Sequence, residues 1–459
     1  MSESGKASGK KNSKRPLKLK PTQIIALTFA AIILVGTLLL MLPVASRNGV
    51  SCGIRPAMFT ATSATCVTGL ILYDTWTQWS GFGQTVILCL IEIGGLGFVT
   101  AASTVLFLLR RKVGLRQKML MAQAFSVNDM KDVVRLQKWV LLGSLSLQLV
   151  GALILFLRFC PQYGVRQSVI WGVFHSISAF CNAGFDLTGS VAPGANLIVF
   201  NQDPVVCITI MFLVVIGGLG FFVWDELARI RKFKNFSVYT KLVLLTTVSL
   251  ILGGALLIGI LEWNNPGTLG NMDTPHKILN AFFQSVTVRT AGFTSVDQAA
   301  LTDGGKAVSI FLMLIGGSSG STAGGLKTVT VLVLVLFAVS RARGRSTVTV
   351  FHRTIPQDKL IDAATITLLV LGLAFAGAVF ITATSPVAFT DALFETSSAL
   401  ATVGLTAGVT PSLSVAAQWM IIVFMYFGRV GILTISLGFL MGDQAEDRFR
   451  YAHTNLLIG

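Results

Sequence analysis

The sequence predicts an all-α integral membrane protein. Four units, each a membrane helix, a re-entrant pore loop and a second membrane helix, stand in pseudo-fourfold arrangement around a central ion pore. Three observations predict this. Of 459 residues, 53% are hydrophobic and only 12% charged, and the mean hydropathy is +0.74, more apolar surface than a soluble core of this length can bury. Basic residues come in runs that follow every second apolar segment. One short local pattern occurs four times at a nearly constant interval.

Eight apolar segments run through 23–44, 82–109, 138–159, 205–228, 238–262, 306–340, 360–384 and 416–441. Each is long enough to cross roughly 30 Å of hydrocarbon. The run KKNSKRPLKLK precedes the first. The runs at 110–118, 229–241, 341–345 (with His352, Arg353 and Lys359 after it) and 447–450 follow the second, fourth, sixth and eighth. Such runs mark the cytoplasmic side, so the chain is multi-pass with cytoplasmic N- and C-termini. The formal charge of +16 is not interleaved with aromatics on one domain, which argues against nucleic acid; basic faces beside a bilayer meet anionic lipid instead. The first segment lacks a convincing signal-peptidase site. Six cysteines stand singly, without metal-ligand spacing, and read as small hydrophobes.

Segments therefore pair as hairpins that start and end in the cytoplasm, which makes them parallel repeats about an axis along the membrane normal. The expected divisions are a basic tail (1–22), repeats at 23–110, 111–229, 230–342 and 343–442, and a C-terminal tail (443–459). Within each hairpin lies a shorter amphipathic stretch: MFTATSATCVTGLILYD (58–74), VFHSISAFCNAGFDLTG (173–189), AFFQSVTVRTAGFTSVD (281–297) and LFETSSALATVGLTAGV (393–409). Each has an aromatic, then small hydroxyl residues, then one glycine followed by Leu or Phe. The glycines, Gly69, Gly184, Gly292 and Gly404, are spaced by 115, 108 and 112 residues.

A short helix entering from outside would point its negative C-terminal end at the axis, where a cation gains from it. Thr274 with Pro275 and Ser385 with Pro386 suggest Ncap and N1 for two of these helices. The chain then returns extended, and the glycine lets backbone carbonyls turn inward without a Cβ in the way. Glycines of an ordinary helix-packing face are the bland alternative, but packing does not predict one per hairpin in the same frame.

Four such units with one filter glycine each resemble the Trk/Ktr/HKT superfamily of potassium transporters, and most closely the bacterial Ktr membrane subunit. The likeness covers about 23–459. It implies an ion filter at Thr68, Gly69, Ala183, Gly184, Ala291, Gly292, Val403 and Gly404, with potassium bound there. Sodium-preferring plant relatives carry serine at the first filter position, where this chain has Gly69, so the likeness favours potassium. A sodium or non-selective monovalent cation pathway on the same scaffold is the alternative, and sodium as co-ion or activator stays open. The likeness further implies residence in a bacterial plasma membrane, a homodimer, and a cytosolic ring that binds the nucleotide, ATP or ADP; the chain itself needs no cofactor beyond the transported ion. The apolar tail RFRYAHTNLLIG is expected at the dimer interface, and the basic cytoplasmic loops against the ring.

The sixth segment is interrupted by GGSSGSTAGGLKT, residues 316–328. Glycine costs about 1 kcal/mol per residue in a helix interior, and irregular backbone survives at membrane depth only where it lines water or is buried in protein. The stretch is therefore expected to lie across the pore as a gate built on Gly316, Gly317, Gly320, Gly324, Gly325 and Lys327. Lys327 would face the approaching cation. Arg429, deep in the last apolar segment, is a functional candidate because ionisable groups are costly there; the family likeness places it opposite the interrupted segment, to anchor the loop. A passive kink is the competing explanation. A phosphate-binding loop is excluded, because Leu326 separates Gly325 from Lys327 and no βα unit surrounds it. No nucleophile–base set or carboxylate pair appears, so the chain is not expected to be an enzyme, and no span carries the periodic arginines of a voltage sensor.

Among other charges, Asp74, Asp186 and Asp297 are candidates for the outer mouth. Arg289 is expected behind the filter, with Glu395 as its possible counter-ion. Asp225 and Glu226 are expected to neutralise Arg229 or Arg231. Glu92 has no assigned role.

Overall fold

A computed structural model describes residues 21–97, 133–230 and 232–431. Unit one consists of Pro21–Leu40, the short helix Ile54–Thr65 and Gly81–Leu96. In unit two a single helical stretch, Val133–Phe180, bends at Gly164 (φ 74°) into a first helix and a short helix; Pro204–Leu219 and Phe221–Arg229 follow. Unit three is Val238–Glu262, Thr274–Thr287, Asp303–Leu314 and Thr328–Ala342. Unit four is Gln357–Thr384, Phe389–Ala401 and Val415–Val430. The two-residue strands Thr349–Val350 and Arg353–Thr354 pair antiparallel between units three and four.

The units close on one another. The second helix of unit one packs on unit two, that of unit two on the short helix of unit three, that of unit three on the short helix of unit four, and that of unit four on the short helix of unit one. Each second helix starts the same way, with a side chain accepting from the first-turn backbone: Ser80 from Gly83 N, Asp203 from Val205 and Val206 N, Thr302 from Gly305 N, and Ser414 from Ala417 N. Such caps contribute about 1 kcal/mol each. Burial is reversed relative to a soluble protein. Leu149 is 72% and Leu368 70% exposed on the first helices, while Thr62, Ser63, Thr65 and Thr68 of unit one are fully buried. Lipid is as apolar as leucine, so association rests on close packing of small residues and on hydrogen bonds.

Of the eight expected apolar segments, the fourth departs from a straight span. Among the described residues, four helices are long and apolar enough to cross a membrane, and they are the first helices of the four units. The fourth expected span instead bends by 95° between Leu219 and Phe221. The helices of the second and eighth reach Leu96 and Val430, and 98–109 and 432–441 lie outside the described residues. The cause of the bend is local: Gly220 holds φ of 95°, a conformation other residues rarely adopt, and Gly97 and Gly431 share it at 84° and 94°. The expected caps also shift. Thr274 lies inside its helix behind Asp273, and Ser385 ends the preceding helix, three residues ahead of Ala388, the Ncap of the short helix. The runs at 1–20, 110–118 and 447–450, Arg231 and the tail 443–459 lie outside the described residues.

Candidate functional site

Immediately past each short helix the backbone takes the same path. The residue two before the glycine has positive φ in every unit: Val67 55°, Asn182 60°, Thr290 70° and Thr402 52°. The glycines follow at 100°, 69°, 79° and 94°. A backbone bond back to the short helix fixes the turn, from Thr68 N to Ser63 O, Ala183 N to Ser178 O and Val403 N to Ser398 O, each at 2.8 Å, and from Ala291 N to Thr287 O at 2.9 Å. Serine hydroxyls add a second hold in two units, accepting from Gly69 N (Ser63) and Gly404 N (Ser398) at 3.0 Å.

The four turns meet. A Cβ on Gly69 would lie 2.5 Å from Ala183 O, and one on Gly184 2.8 Å from Ala291 O; one on Gly292 would run into Val403 O, and one on Gly404 into Thr68 O. Each glycine thus faces the carbonyl of the residue preceding the next unit's glycine, and the sequence one, two, three, four returns to one. All eight residues singled out by the fourfold pattern stand in this closed ring. Any side chain at the glycines would occupy the place of a carbonyl.

Below the ring, the second helices of units one, two and four each carry a glycine pressed against the end of a short helix. Cβ atoms on Gly94, Gly217 and Gly428 would collide with Thr65 O, Phe180 O and Leu400 O. In sequence these stand in IGGLG (93–97), IGGLG (216–220) and FGRVG (427–431), a repeat that the apolar runs around it conceal. Arg429 therefore occupies a position that is glycine in units one and two, Gly95 and Gly218.

In unit three the helix ends at Leu314 and residues 315–327 cross to the other units. Ile315 and Leu326 form a parallel bridge, with Gly316 N donating to Leu326 O at 2.9 Å. Toward unit two, Ser318 N donates to Gly218 O at 3.0 Å, Thr322 N to Gly217 O at 3.2 Å, and Phe221 N to Gly320 O at 2.8 Å. Toward unit four, a Cβ on Gly324 would strike the Thr402 side chain, and Arg429 donates to Thr322 O. Arg429 also donates to Gly94 O and, at 3.2 Å, to Gly95 O of unit one. Gly317 approaches Ala323 within the loop, and Gly320 and Gly325 have φ of 69° and 67°. Lys327 turns its Nζ back onto Ala323 O at 2.9 Å and Gly324 O at 3.5 Å, within the same loop.

Arg289 does not pair with Glu395. Glu395 accepts from the Thr406 hydroxyl at 2.5 Å, the Thr410 hydroxyl at 2.7 Å and Ala407 N at 3.1 Å. Arg289 is 8% exposed, its side chain makes no hydrogen bond among the described residues, and it lines a small cavity with Gly218, Thr247 and Gly317. Asp225 pairs with Arg229 at 2.8 Å, whereas Glu226 receives Ser237 and Thr240 at the start of the next helix. Glu92 accepts from Gln148 at 3.0 Å. The outer carboxylates bind backbone amides: Asp74 accepts from Thr77 N at 2.8 Å and, from unit two, Gly194 N at 3.2 Å, and Asp297 from Ala299 N at 2.9 Å. Asp186 accepts from Thr188 N at 2.9 Å, its hydroxyl at 2.5 Å, and Asn196 at 3.0 Å. Burial pushes the Asp186 carboxyl up to about 6, the Thr188 hydroxyl pulling the other way and nearby Asp74 adding to the rise.

Comparison with known proteins points to one family. Residues 3–448 match the family model TrkH, described as cation transport protein. The chain is 41% identical over 433 residues to Ktr system potassium uptake protein B of Bacillus subtilis (strain 168), covering 94% of this chain and 96% of that one. It is 37% identical to Ktr system potassium uptake protein B of Vibrio alginolyticus, covering 95% and 94%. Identity to the potassium/sodium uptake protein NtpJ of Enterococcus hirae is 36%, covering 96% and 98%. The crystal structure of the potassium transporter TrkH from Vibrio parahaemolyticus shares the fold, with a TM-score of 0.72 at 19% identity over 94% of this chain and 87% of that one. This chain belongs to the TrkH family of cation transport proteins.

Proposed function

We propose that this chain is the ion-conducting subunit of a potassium-uptake system of the plasma membrane. The ring of Thr68, Ala183, Ala291 and Val403 carbonyls with Gly69, Gly184, Gly292 and Gly404 is its ion filter, and residues 316–328 with Arg429 are its gate. The observation that carries the reading is the closed cycle in which every glycine faces the next unit's carbonyl. Four carbonyl oxygens converging from four turns can replace water around a monovalent cation. The short helices ending at Thr65, Phe180, Thr287 and Ala401 bring the negative ends of their dipoles to the same place. No covalent step is needed, so the chain acts as a transporter and not as an enzyme.

Potassium is the cargo in the names of the Bacillus and Vibrio relatives, and both names describe one protein of a system. That supports a second component, which the family likeness makes a cytosolic nucleotide-binding ring, and a homodimer of this chain; the four repeats keep the divisions 23–110, 111–229, 230–342 and 343–442. A sodium-linked reading rests on the relative named for both ions. The test is uptake by a bacterium lacking its own potassium transporters, with K+ and Na+ varied separately, for the parent chain and for serine at each ring glycine. Gly69→Ser, Gly292→Ser and Gly404→Ser should lower K+ over Na+ discrimination most, and Gly184→Ser, with 2.8 Å of clearance, least. Unchanged discrimination in all four would remove the ring from ion selection.

A further inference from the structure

The outer side of the ring is not fourfold. From ring glycine to the start of the second helix, unit two takes twenty residues, Gly184 to Pro204, where the other units take eleven or twelve. The extra length folds back, and its Asn196 reaches the ring. Asn196 Nδ2 donates to Gly184 O at 3.3 Å and to Asp186 Oδ2 at 3.0 Å. Its Oδ1 accepts from Leu197 N at 2.8 Å and, across the unit boundary, from Thr294 N at 3.2 Å, two residues past Gly292. Its backbone carbonyl accepts from the Thr188 hydroxyl at 2.8 Å. Asn196 holds φ of 49°, a left-handed conformation that asparagine tolerates better than most residues. No hydrogen bond from a described residue reaches the carbonyls of Gly69, Gly292 or Gly404.

We propose that Asn196 is a positioning residue for ion selection: its side-chain amide fixes the Gly184 carbonyl and ties the outer edges of units two and three at one spacing. The inference rests on the filter reading above. Two physical effects act in the same direction. An oxygen already accepting an amide proton offers less negative charge to a small, high-field cation such as Na+. A carbonyl tied to a side chain that is itself bonded to unit three also cannot draw inward to fit the smaller ion. Freed from Asn196, the Gly184 carbonyl can do both, and Na+ gains on K+.

Asn196→Gly isolates the side chain, because glycine adopts the same left-handed backbone without strain. The full-length chain is expressed in the transport-deficient bacterium, and rubidium uptake is measured against rising Na+ and rising K+. The ratio of the two half-inhibiting concentrations should fall about three- to tenfold, the size of one net hydrogen bond. Asn196→Asp keeps the acceptor for Thr294 N but removes the donor and faces Asp186 with a like charge, so its ratio should fall at least as far. Lower uptake with an unchanged ratio in Asn196→Gly would reduce Asn196 to a loop residue and overturn the proposal. So would a parental ratio in Asn196→Asp, which carries the test if Asn196→Gly does not reach the membrane. Serine at the ring glycines separates the two levels: if Gly69→Ser, Gly292→Ser or Gly404→Ser alters the ratio while both Asn196 variants do not, only the positioning role falls, and if all four serine variants also leave the ratio unchanged, the filter reading falls with it.

Discussion

Replacing Arg429 by alanine tests how the intramembrane stretch is held. The guanidinium donates to three carbonyls, Thr322 O in the loop and Gly94 O and Gly95 O in unit one. A hydrogen bond to a charged donor contributes about 1.5–3 kcal/mol net. Only the Thr322 bond joins Arg429 to the loop, so its loss should shift the loop's equilibrium toward the displaced arrangement by that amount, roughly 12- to 140-fold at 1.4 kcal/mol per decade. The loop keeps its bonds to Gly217 O, Gly218 O and Phe221 N, and Tyr239 still donates to Ser319 O at 3.2 Å. Arg429→Ala should therefore raise flux and weaken control without abolishing it. The assay is potassium flux in proteoliposomes, with and without the regulatory partner, on variants matched for membrane content. Arg429→Lys should fall between, since one ammonium cannot reproduce a fork spanning two units. If Arg429→Ala folds, conducts no faster than the parent and keeps full dependence on the partner, the anchoring argument is wrong.

Deleting residues 317–324 should raise cation flux further and blunt dependence on the partner; the new joint is short, because a Cβ on Gly325 would lie 3.3 Å from Gly316 Cα. Flux at parental level in a correctly inserted deletion would leave the stretch a passive kink. Asp186 supplies a pH prediction: with its carboxyl pushed up to about 6, it is charged above that value and neutral below. Potassium uptake at low external potassium should then fall several-fold from pH 7.5 to 5, as the negative charge that draws cations to the mouth is lost. A slope that persists in Asp186→Asn would assign the effect elsewhere.

Much of the ring was legible because Gly69, Gly184, Gly292 and Gly404 recur in one frame, and no packing requirement produces that. Its partners were legible only as neighbours of those glycines. Nothing in the sequence asks Val67, Thr290 or Thr402 for positive φ, which β-branched residues avoid; the convergence of four turns imposes it. The helix breaks at Gly97, Gly220 and Gly431 carry a signal, IGGLG twice and FGRVG once. Hydropathy does not register it, because apolar residues continue on both sides and the break is in φ alone. Arg289 and Glu395 misled the reading because opposite charges look like partners, whereas three groups of its own unit already satisfy Glu395. Asn196 sits in an insertion that no other unit shares, so comparison among the repeats could not reach it.

The same comparison explains why only one unit carries the loop and only one the arginine. Gly94, Gly217 and Gly428 each lie against the end of a short helix, so the positions after them, Gly95, Gly218 and Arg429, are equivalent, and Gly317 is their counterpart in unit three by sequence. Gly217 O and Gly218 O accept from the loop's amides and Gly95 O from Arg429; a Cβ at Gly95 or Gly217 would collide with Cys181 or Phe180 O and shift the backbone that the loop and the arginine bind. Units one and two thus supply carbonyls, unit three the crossing segment, and unit four the arginine bonded to it. In the proposed mechanism, the carbonyl ring draws on what the four units have in common, Asn196 of unit two adjusts its selectivity, and gating rests on where units three and four depart from units one and two at a single level of the fold.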